Sequence, residues 1–276
     1  MTTIAIIGAG AMGSGVARRL HDNGCTIPTL LDGRSEATRA RATGAGMVAA
    51  TLEDIAGAEL ILSIVPPAQA EAVVETLAPV FARPAPPPFC DANALSPETK
   101  QRLAARVAEL GGRMVDGSII GFPPSAGHDG PRLYVCGDGA VEIARLSEFS
   151  IDTRVLDGPL GAAAALKMCY AGINKGVMGL VTAMLLAAQR HGADTDLLKE
   201  MGISMEWLMG RQRTAVPSMY PKAYRWDAEM HEIAAFLAPD DGPAAQIWHG
   251  LGDFFTDRAA AHAAGEELED IRKLLS

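Results

Sequence analysis

Three glycines near the start of the chain have the spacing of a loop that binds a nucleotide pyrophosphate. The apolar run Ile4–Ile7 leads directly into Gly8-Ala9-Gly10-Ala11-Met12-Gly13. In such a loop the first glycine permits a tight turn, the second lets phosphate oxygens approach the backbone, and the third lets the helix pack on the strand. Ordinary glycine turns share this pattern. The apolar run before it and the amphipathic segment after it favour a dinucleotide site formed by Gly8, Gly10, Ala11, Met12 and Gly13.

The identity of the dinucleotide depends on three residues that follow the second apolar run. Asp32 lies nineteen positions after Gly13, close to the spacing at which an acid accepts hydrogen bonds from the ribose of NAD. Arg34 and Ser35 come two and three residues later and could instead hold the 2′-phosphate of NADP. The alternatives are that Arg34 is an exposed turn residue and that Asp32 forms a turn before Gly33. The sequence favours NADP(H), with NAD as the alternative.

Composition and charge limit the classes of partner. The 276 residues carry a net charge of −9 and 49% are hydrophobic, so the chain lacks the basic character that nucleic acid or an anionic membrane would attract. The four cysteines are scattered without metal-ligand spacing, which predicts no metal site. Because an apolar, strand-like run begins at Ile4, we expect no signal peptide. The sequence has no stretch of about eighteen uninterrupted apolar residues, so we expect no membrane span. We therefore expect a cytoplasmic protein.

The elements that must position these residues change character midway along the chain. As far as Val155, short apolar runs alternate with helical patterns, which predicts an α/β domain with a doubly wound parallel sheet over residues 1–157. Strand-like runs are expected at Ile4–Ile7 and at residues 29–31, 60–65, 89–91, 113–116 and 133–136. Ligands bind such sheets at the carboxyl edge.

From residue 158 to residue 276 the pattern predicts an all-α domain. The segment Ala162–Arg190 reads as one long helix rich in Ala, Leu and Met, and later helices are expected to break at glycines and prolines such as Gly210 and Pro217. A helix that is apolar all round must be covered on most sides. We expect a homodimer in which a second copy supplies part of that cover.

Several motifs in the first half resemble one enzyme superfamily. A glycine loop ending in Met12-Gly13, the run Ser63-Ile64-Val65-Pro66 and the later stretch Asp91-Ala92-Asn93-Ala94-Leu95-Ser96-Pro97 are similar to those of β-hydroxyacid dehydrogenases. That group includes 3-hydroxyisobutyrate and 6-phosphogluconate dehydrogenases. The resemblance implies a Rossmann domain followed by a helical domain, and cofactor contacts from Val65, Pro66 and Asn93. A C-terminal stretch, residues 221–230, resembles a poorly characterised phosphogluconate-dehydrogenase-like branch.

The superfamily's substrate marker has a modified counterpart. Val115-Asp116-Gly117-Ser118-Ile119-Ile120-Gly121 stands where members carry Asp-Ala-Pro-Val-Ser-Gly-Gly. The resemblance therefore implies that Ser118, Ile120, Gly121 and the following Phe122 line the substrate site. Ile120 replaces the serine whose hydroxyl helps to hold a substrate carboxylate, so this site is more apolar than that of other members.

The resemblance also implies a general acid/base at Lys167. Gly158-Pro159-Leu160-Gly161 and the alanine-rich run up to Met168 are similar to the superfamily's glycine turn, long interdomain helix and catalytic lysine. A lysine among apolar residues loses hydration, which lowers its pKa toward the range useful in proton transfer. The alternative is a lysine that extends its charge to the surface.

Two further residues on that helix are candidates for the catalytic site. Tyr170 and Ala171 replace asparagines of the superfamily, and Tyr170 either donates to the reacting oxygen or is a packed aromatic. Asn174 lies seven residues after Lys167, on the same helical face. It stands where 6-phosphogluconate dehydrogenases carry a proton-donating glutamate, which disfavours decarboxylation. Asn174 either contacts substrate or Lys167, or is a surface amide.

The resemblance thus implies an NAD(P)-dependent oxidoreductase that interconverts an alcohol and its carbonyl on a small hydroxy acid or a related apolar molecule. Two alternatives remain. An imine reductase has the same architecture but usually carries Asp or Tyr where Lys167 stands. A module that binds a nicotinamide dinucleotide without turning it over is the non-enzymatic alternative.

Overall fold

The computed structural model describes residues 2–124, 130–238, 240 and 242–276. The chain forms two compact units, Met1–Lys167 and Met168–Ser276. In the first unit, buried side chains form two clusters, one on each face of a sheet. The second unit has a separate apolar core.

The first unit is built on a sheet. Its strands, within the described residues, are β1 (Ile4–Ile7), β2 (Ile27–Thr29), β3 (Met47–Ala49), β4 (Leu60–Ser63), β5 (Phe89–Asp91), β6 (Met114–Ile120), β7 (Arg132–Cys136) and β8 (Thr153–Val155). The main sheet has the order β1-β4-β5-β6-β7-β8, and β2 pairs with β3. A bridge between Thr3 and Thr26 places β2 beside the start of β1. This arrangement confirms the predicted doubly wound sheet.

One strand pair departs from the predicted parallel arrangement. β7 runs antiparallel to β6, with Gly117 opposite Val135 and Ile120 opposite Arg132. Only residues 121–131 join the two strands, fewer than the dozen or more that a parallel crossover needs. The other pairs of the sheet, from β1 with β4 to β7 with β8, are parallel.

Helices cover both faces of this sheet. In the described part of the first unit they are α1 (Ala11–Asp22), α2 (Glu36–Gly44), α3 (Leu52–Ala56), α4 (Ala70–Thr76), α5 (Ala78–Phe81), α6 (Pro97–Glu109) and α7 (Ala140–Ala144). Three of them begin at side-chain caps, in which the Oγ of Ser35, Thr51 or Ser96 accepts a backbone N–H three residues on. Such caps satisfy donors that the first helical turn leaves unpaired.

The division between the units lies at Lys167, later than the predicted boundary at residue 157. The helix α8 (Ala162–Arg190) begins inside the first unit. Backbone N–H groups of Gly161 and Ala164 both donate to the Asp116 carboxylate in β6, at 3.1 Å each. These bonds attach the first turn of α8 to the sheet.

The second unit is helical throughout its described residues. Beyond α8 it contains α9 (Asp194–Ser204), α10 (Glu206–Met219), α11 (Trp226–Leu237), α12 (Pro243–Ala263) and α13 (Leu268–Leu275), with a 3-10 segment at Tyr220–Arg225. The expected breaks at Gly210 and Pro217 are wrong, because both residues lie within α10. In this unit Tyr220, Met230 and Phe255 are buried at the centre of the core.

The helix α8 has the predicted bounds, and by length and composition alone it could cross a membrane. Its most apolar window has a mean hydropathy of 1.4, and 39% of that window is buried. Core helices of soluble proteins meet the same criterion. Within the second unit, Lys175 of α8 is 13% exposed at its side chain and pairs with Glu229.

Candidate active site

The glycine loop has one position that is open and two that are closely packed. Gly8 has φ +116°, and a Cβ there would lie 2.2 Å from the Ile64 carbonyl oxygen. A Cβ on Gly13 would lie 1.9 Å from the Gly8 carbonyl oxygen, whereas a Cβ on Gly10 would meet nothing within 4 Å. Gly8 and Gly13 are therefore required for packing. Gly10 borders the free space at the start of α1, which fits the pyrophosphate of a dinucleotide.

Two arginines of α2 that the sequence did not indicate contact the backbone of the candidate cofactor site. The Arg41 Nε donates to the Ala9 carbonyl oxygen at 2.7 Å, which holds α2 against the glycine loop. The Arg39 Nε donates to the Arg34 carbonyl oxygen at 3.1 Å. These hydrogen bonds place the Arg41 guanidinium against the glycine loop and the Arg39 guanidinium against the backbone of Arg34. Arginine is a common ligand of phosphate groups. The spacing of Arg39 and Arg41 along the short helix α2 did not indicate these contacts in the sequence.

Asp32 and Arg34 line a cavity of about 560 Å³ at the carboxyl ends of β1 and β2. Its other walls include the apolar side chains of Ile7, Leu30 and Leu52. Asp32 and Arg34 are both exposed. An apolar cleft with an acid and a cation at its rim suits an adenosine group, with the charged residues at its ribose.

Ser35 has a local structural role. Its Oγ is 3.3 Å from the donating Thr38 N–H and 3.0 Å from the Thr38 hydroxyl, so it caps α2. The hydroxyl of a capping serine keeps one proton that it can donate. Its predicted contact with a 2′-phosphate stays a prediction, and it now has to be compatible with the cap.

Asn93 lies inside the protein and fixes the loop after β4. It is 2% exposed. Its Oδ1 accepts the Val65 N–H at 2.6 Å, and its Nδ2 donates to the Ser63 Oγ at 3.1 Å and to the Asp91 Oδ2 at 2.6 Å. Both amide protons are therefore used within the protein. Asn93 supports Val65 and the exposed Pro66 that follows, while direct contact of any of the three with cofactor stays a prediction.

The four predicted substrate residues after Asp116 differ in exposure. Ser118 and Ile120 lie in β6 and are buried, and the Ser118 Oγ is among the buried polar atoms without a hydrogen-bond partner. Gly121 and Phe122 follow the strand, and Phe122 is 81% exposed. Of this marker, the residues just beyond the strand are thus the accessible ones.

The segment after β6 lies against α1. A Cβ on Gly15 would be 2.9 Å from the Pro124 side chain, so the glycine allows close contact between Pro124 and the first turns of α1. Phe122 and the glycine loop are therefore on neighbouring segments of the first unit. Residues 125–129 lie outside the described residues.

Lys167 follows directly on the anchored first turn of α8. It is partly buried, and it lies three residues after Ala164, whose N–H donates to Asp116. The Cys136 thiol donates to the same carboxylate oxygen at 3.3 Å and accepts the Ala163 N–H at 3.2 Å. Burial raises the pKa of the Cys136 thiol, which keeps it protonated as a donor.

Tyr170 and Asn174 continue along α8 beyond the division between the units. Tyr170 is 44% exposed. The Arg211 Nη2 of α10 donates to the Asn174 Oδ1 at 2.5 Å. The Asn174 side chain therefore lies beside a guanidinium group. The catalytic roles of Tyr170 and Asn174 stay predictions.

Within the described residues, no group of three or more His, Cys, Asp or Glu side chains could hold a metal ion. The features described above that bear on function are the glycine loop, the cavity lined by Asp32 and Arg34, and Lys167 beside the anchored first turn of α8.

Models of two protein families match this chain, one in each half. The NAD binding domain of 6-phosphogluconate dehydrogenase matches residues 3–144, which is more than half of the chain. A domain of unknown function matches residues 188–264, within the helical unit. No protein with a curated description matches the chain.

Solved structures match over nearly the whole chain. A conserved protein described as structurally similar to 3-hydroxyacid dehydrogenases is 26% identical, with a TM-score of 0.79 over 94% of this chain and 98% of its own. A conserved hypothetical protein from Sinorhizobium meliloti is also 26% identical, with a TM-score of 0.80 over 100% and 96%. The 3-hydroxyisobutyrate dehydrogenase of Mycobacterium tuberculosis shares the fold at 20% identity, with a TM-score of 0.76 over 100% and 99%. The chain belongs to the β-hydroxyacid dehydrogenase superfamily, with an NAD-binding domain of the 6-phosphogluconate dehydrogenase type.

Proposed function

We propose that this protein is an NADP(H)-dependent oxidoreductase that interconverts an alcohol and its carbonyl on a small hydroxy acid or a related apolar molecule. The observation that carries the proposal is the open space at Gly10, bordered by the N-terminus of α1. Membership of the superfamily supports the nicotinamide chemistry, in which the bound cofactor gives or takes a hydride.

The preference for NADP(H) rests on charge. Arg34 lines the proposed adenosine cavity, and Arg39 contacts the Arg34 carbonyl oxygen. The side chains of both arginines can therefore reach the same edge of the cavity. A 2′-phosphate adds negative charge there, and arginine binds phosphate oxygens through charge-assisted hydrogen bonds. Asp32 lines the same cavity and favours NAD by accepting from ribose hydroxyls. We propose that the arginines outweigh Asp32; the other carboxylate that lines the cavity, Glu53, pairs with Arg83.

Lys167 is the proposed general acid/base. In reduction it would donate a proton to the substrate oxygen as that oxygen gains negative charge, and in oxidation it would accept the proton. Tyr170 and Asn174 would orient the substrate from later turns of the same helix. Phe122 and Ile120 give the substrate marker an apolar character, which favours a substrate with an apolar group beside its polar centre.

A turnover panel tests the reaction class. The oxidation of NADPH is followed by absorbance with aldehydes, keto acids and cyclic imines, and the reduction of NADP⁺ is followed with hydroxy acids. We expect turnover of the carbonyl and hydroxy acid compounds. Turnover of cyclic imines alone would identify an imine reductase, and NADPH binding without any turnover would identify a binding module.

We also propose that a second copy covers the outer face of α8 in a homodimer. Ile173, Leu180 and Met184 are 67%, 56% and 59% exposed and follow one another at intervals of seven and four residues. This spacing places them along one stripe of the helix. Exposed apolar stripes of this kind commonly mark subunit contacts.

A further inference from the structure

A lysine with two aspartates forms a completely buried charged cluster in the first unit. Lys100, Asp91 and Asp116 are each 0% exposed. The Lys100 Nζ donates to the Asp91 Oδ1 at 2.5 Å, to the Asp91 carbonyl oxygen at 2.6 Å and to the Gly117 carbonyl oxygen at 3.0 Å. It also lies 3.3 Å from the Asp116 Oδ1. Burying three ionised groups is costly, so such a cluster needs a compensating role or excellent pairing.

The two aspartates connect to different parts of the candidate site. Asp91 accepts from Asn93, and Asn93 accepts the Val65 N–H of the loop after β4, on the side of the expected cofactor contacts. Asp116 accepts from Gly161 and Ala164 at the first turn of α8, one turn before Lys167. Lys100 is the group that the two branches share.

Each branch ends at backbone N–H groups that donate to a side-chain oxygen. The Val65 N–H donates to Asn93, which in turn donates to Asp91, so the cluster acts on this segment through Asn93. The N–H groups of Gly161 and Ala164 donate to Asp116 directly, at the start of α8, where backbone donors need such acceptors. A carboxylate at a helix N-terminus is also favoured by the helix dipole, which compensates part of the second negative charge.

We propose that Lys100 is a positioning residue that holds the loop of the expected cofactor contacts and the first turn of the Lys167 helix in one fixed geometry. Asp91 serves the cofactor branch and Asp116 serves the lysine branch. The positioning of Lys167 for proton transfer rests on the proposed function, whereas the two branches can be measured without a substrate.

Two charge-matched variants separate the branches. Asp91→Asn and Asp116→Asn each leave one lysine and one aspartate in the cluster, so they differ in the branch that is disturbed and not in net charge. NADPH serves as the cofactor probe, with Kd measured by nicotinamide fluorescence. The α8 branch is measured by amide hydrogen exchange of residues 160–167 and by the pH dependence of Lys167 acetylation, read by mass spectrometry.

We expect Asp91→Asn to raise the Kd for NADPH at least fivefold and to leave the exchange of residues 160–167 unchanged. Asp116→Asn should speed that exchange at least tenfold and shift the midpoint of Lys167 acetylation, with Kd within twofold of the wild type. Cys136→Ala removes the thiol between Ala163 and Asp116 without removing a carboxylate. It should speed the exchange about threefold, and it provides the test if Asp116→Asn does not fold.

A purely structural cluster gives a different result. If both aspartate variants change both readouts to the same extent, or if neither Asp116→Asn nor Cys136→Ala changes the exchange or the Lys167 acetylation, the positioning role is refuted. If wild-type protein does not bind NADPH, the proposed function fails on its own, while the exchange and acetylation measurements still decide the α8 branch.

Discussion

The open space at Gly10 gives the sharpest prediction about the cofactor site. We expect Gly10→Val to fold normally and to lose affinity for NADPH. Gly10 has φ −72° and ψ −178°, an extended conformation that valine also adopts, and a Cβ there meets nothing within 4 Å. Because Gly10 is the N-cap of α1, losing the preferred glycine there should cost only about 1 kcal/mol of folding free energy.

The expected loss of affinity follows from the groups that the valine would block. A hydrogen bond to a charged group contributes about 1.5–3 kcal/mol. Losing one such bond between a backbone N–H and the pyrophosphate corresponds to a rise in Kd of roughly 10- to 150-fold, since about 1.4 kcal/mol is a factor of ten.

Two glycines provide matched controls. Gly13→Ala should reduce the free energy of unfolding by about 1–3 kcal/mol or more, because its Cβ would lie 1.9 Å from the Gly8 carbonyl oxygen. Gly202→Val introduces the same side chain as Gly10→Val into open space on α9, and it should leave the Kd unchanged. Nicotinamide fluorescence gives the Kd, and urea unfolding gives the stability. A Gly10→Val protein that binds NADPH as tightly as the wild type would refute the assignment of the loop.

Three further predictions concern specificity, assembly and pH. Arg34→Ala should lower the ratio of kcat/KM with NADPH to that with NADH at least tenfold; a wild type that prefers NADH, or an unchanged ratio, would give the choice to Asp32. Light scattering at micromolar concentration should show a dimer, and Ile173→Asp should shift it toward monomer, whereas a monomeric wild type contradicts the proposed contact. Burial raises the pKa of the Cys90 thiol above its ordinary value of 9.0, so the folded protein retains a proton that the unfolded chain loses. The contribution of the Cys90 thiol to the free energy of unfolding should therefore be fully present below pH 9 and decrease above it. Cys90→Ala should remove up to about 1.4 kcal/mol per pH unit of that dependence. Urea unfolding at pH 8 and pH 10 measures the dependence, and the same dependence in the two proteins would contradict the prediction.

The sequence predicted the elements whose signals are local. Ile4–Ile7 is a strand with the predicted bounds, and α8 spans Ala162–Arg190 as expected. In both cases one continuous apolar pattern defines the element. The short strands β3 and β8 were not predicted, because each has three residues, of which two are exposed. The antiparallel pairing of β6 with β7 was not predicted either, because hydrophobic periodicity does not depend on the direction in which a strand runs.

Of the candidate site, only the parts formed by residues that are close together in the sequence could be predicted. The glycine loop is such a case, because its three roles follow from three spaced residues. Lys100 resembles an ordinary helix-surface lysine in the sequence, and its burial depends on Asp91 and Asp116, which come from two other elements. The contact of Arg41 with Ala9 likewise joins residues 32 positions apart. Polar contacts between residues far apart in the sequence can be identified only from the folded structure.

The most direct test of the proposed mechanism compares wild type with Lys167→Met. Methionine keeps a side chain of similar size and removes the transferable proton. With a substrate found in the turnover panel, we expect kcat to fall by about 10²–10⁴-fold, with the Kd for NADPH unchanged. Asn174→Ala should lower kcat less, because an orienting residue moves no proton. Turnover of Lys167→Met at a rate near that of the wild type would contradict the account, and Tyr170 would then be the better candidate for the proton donor.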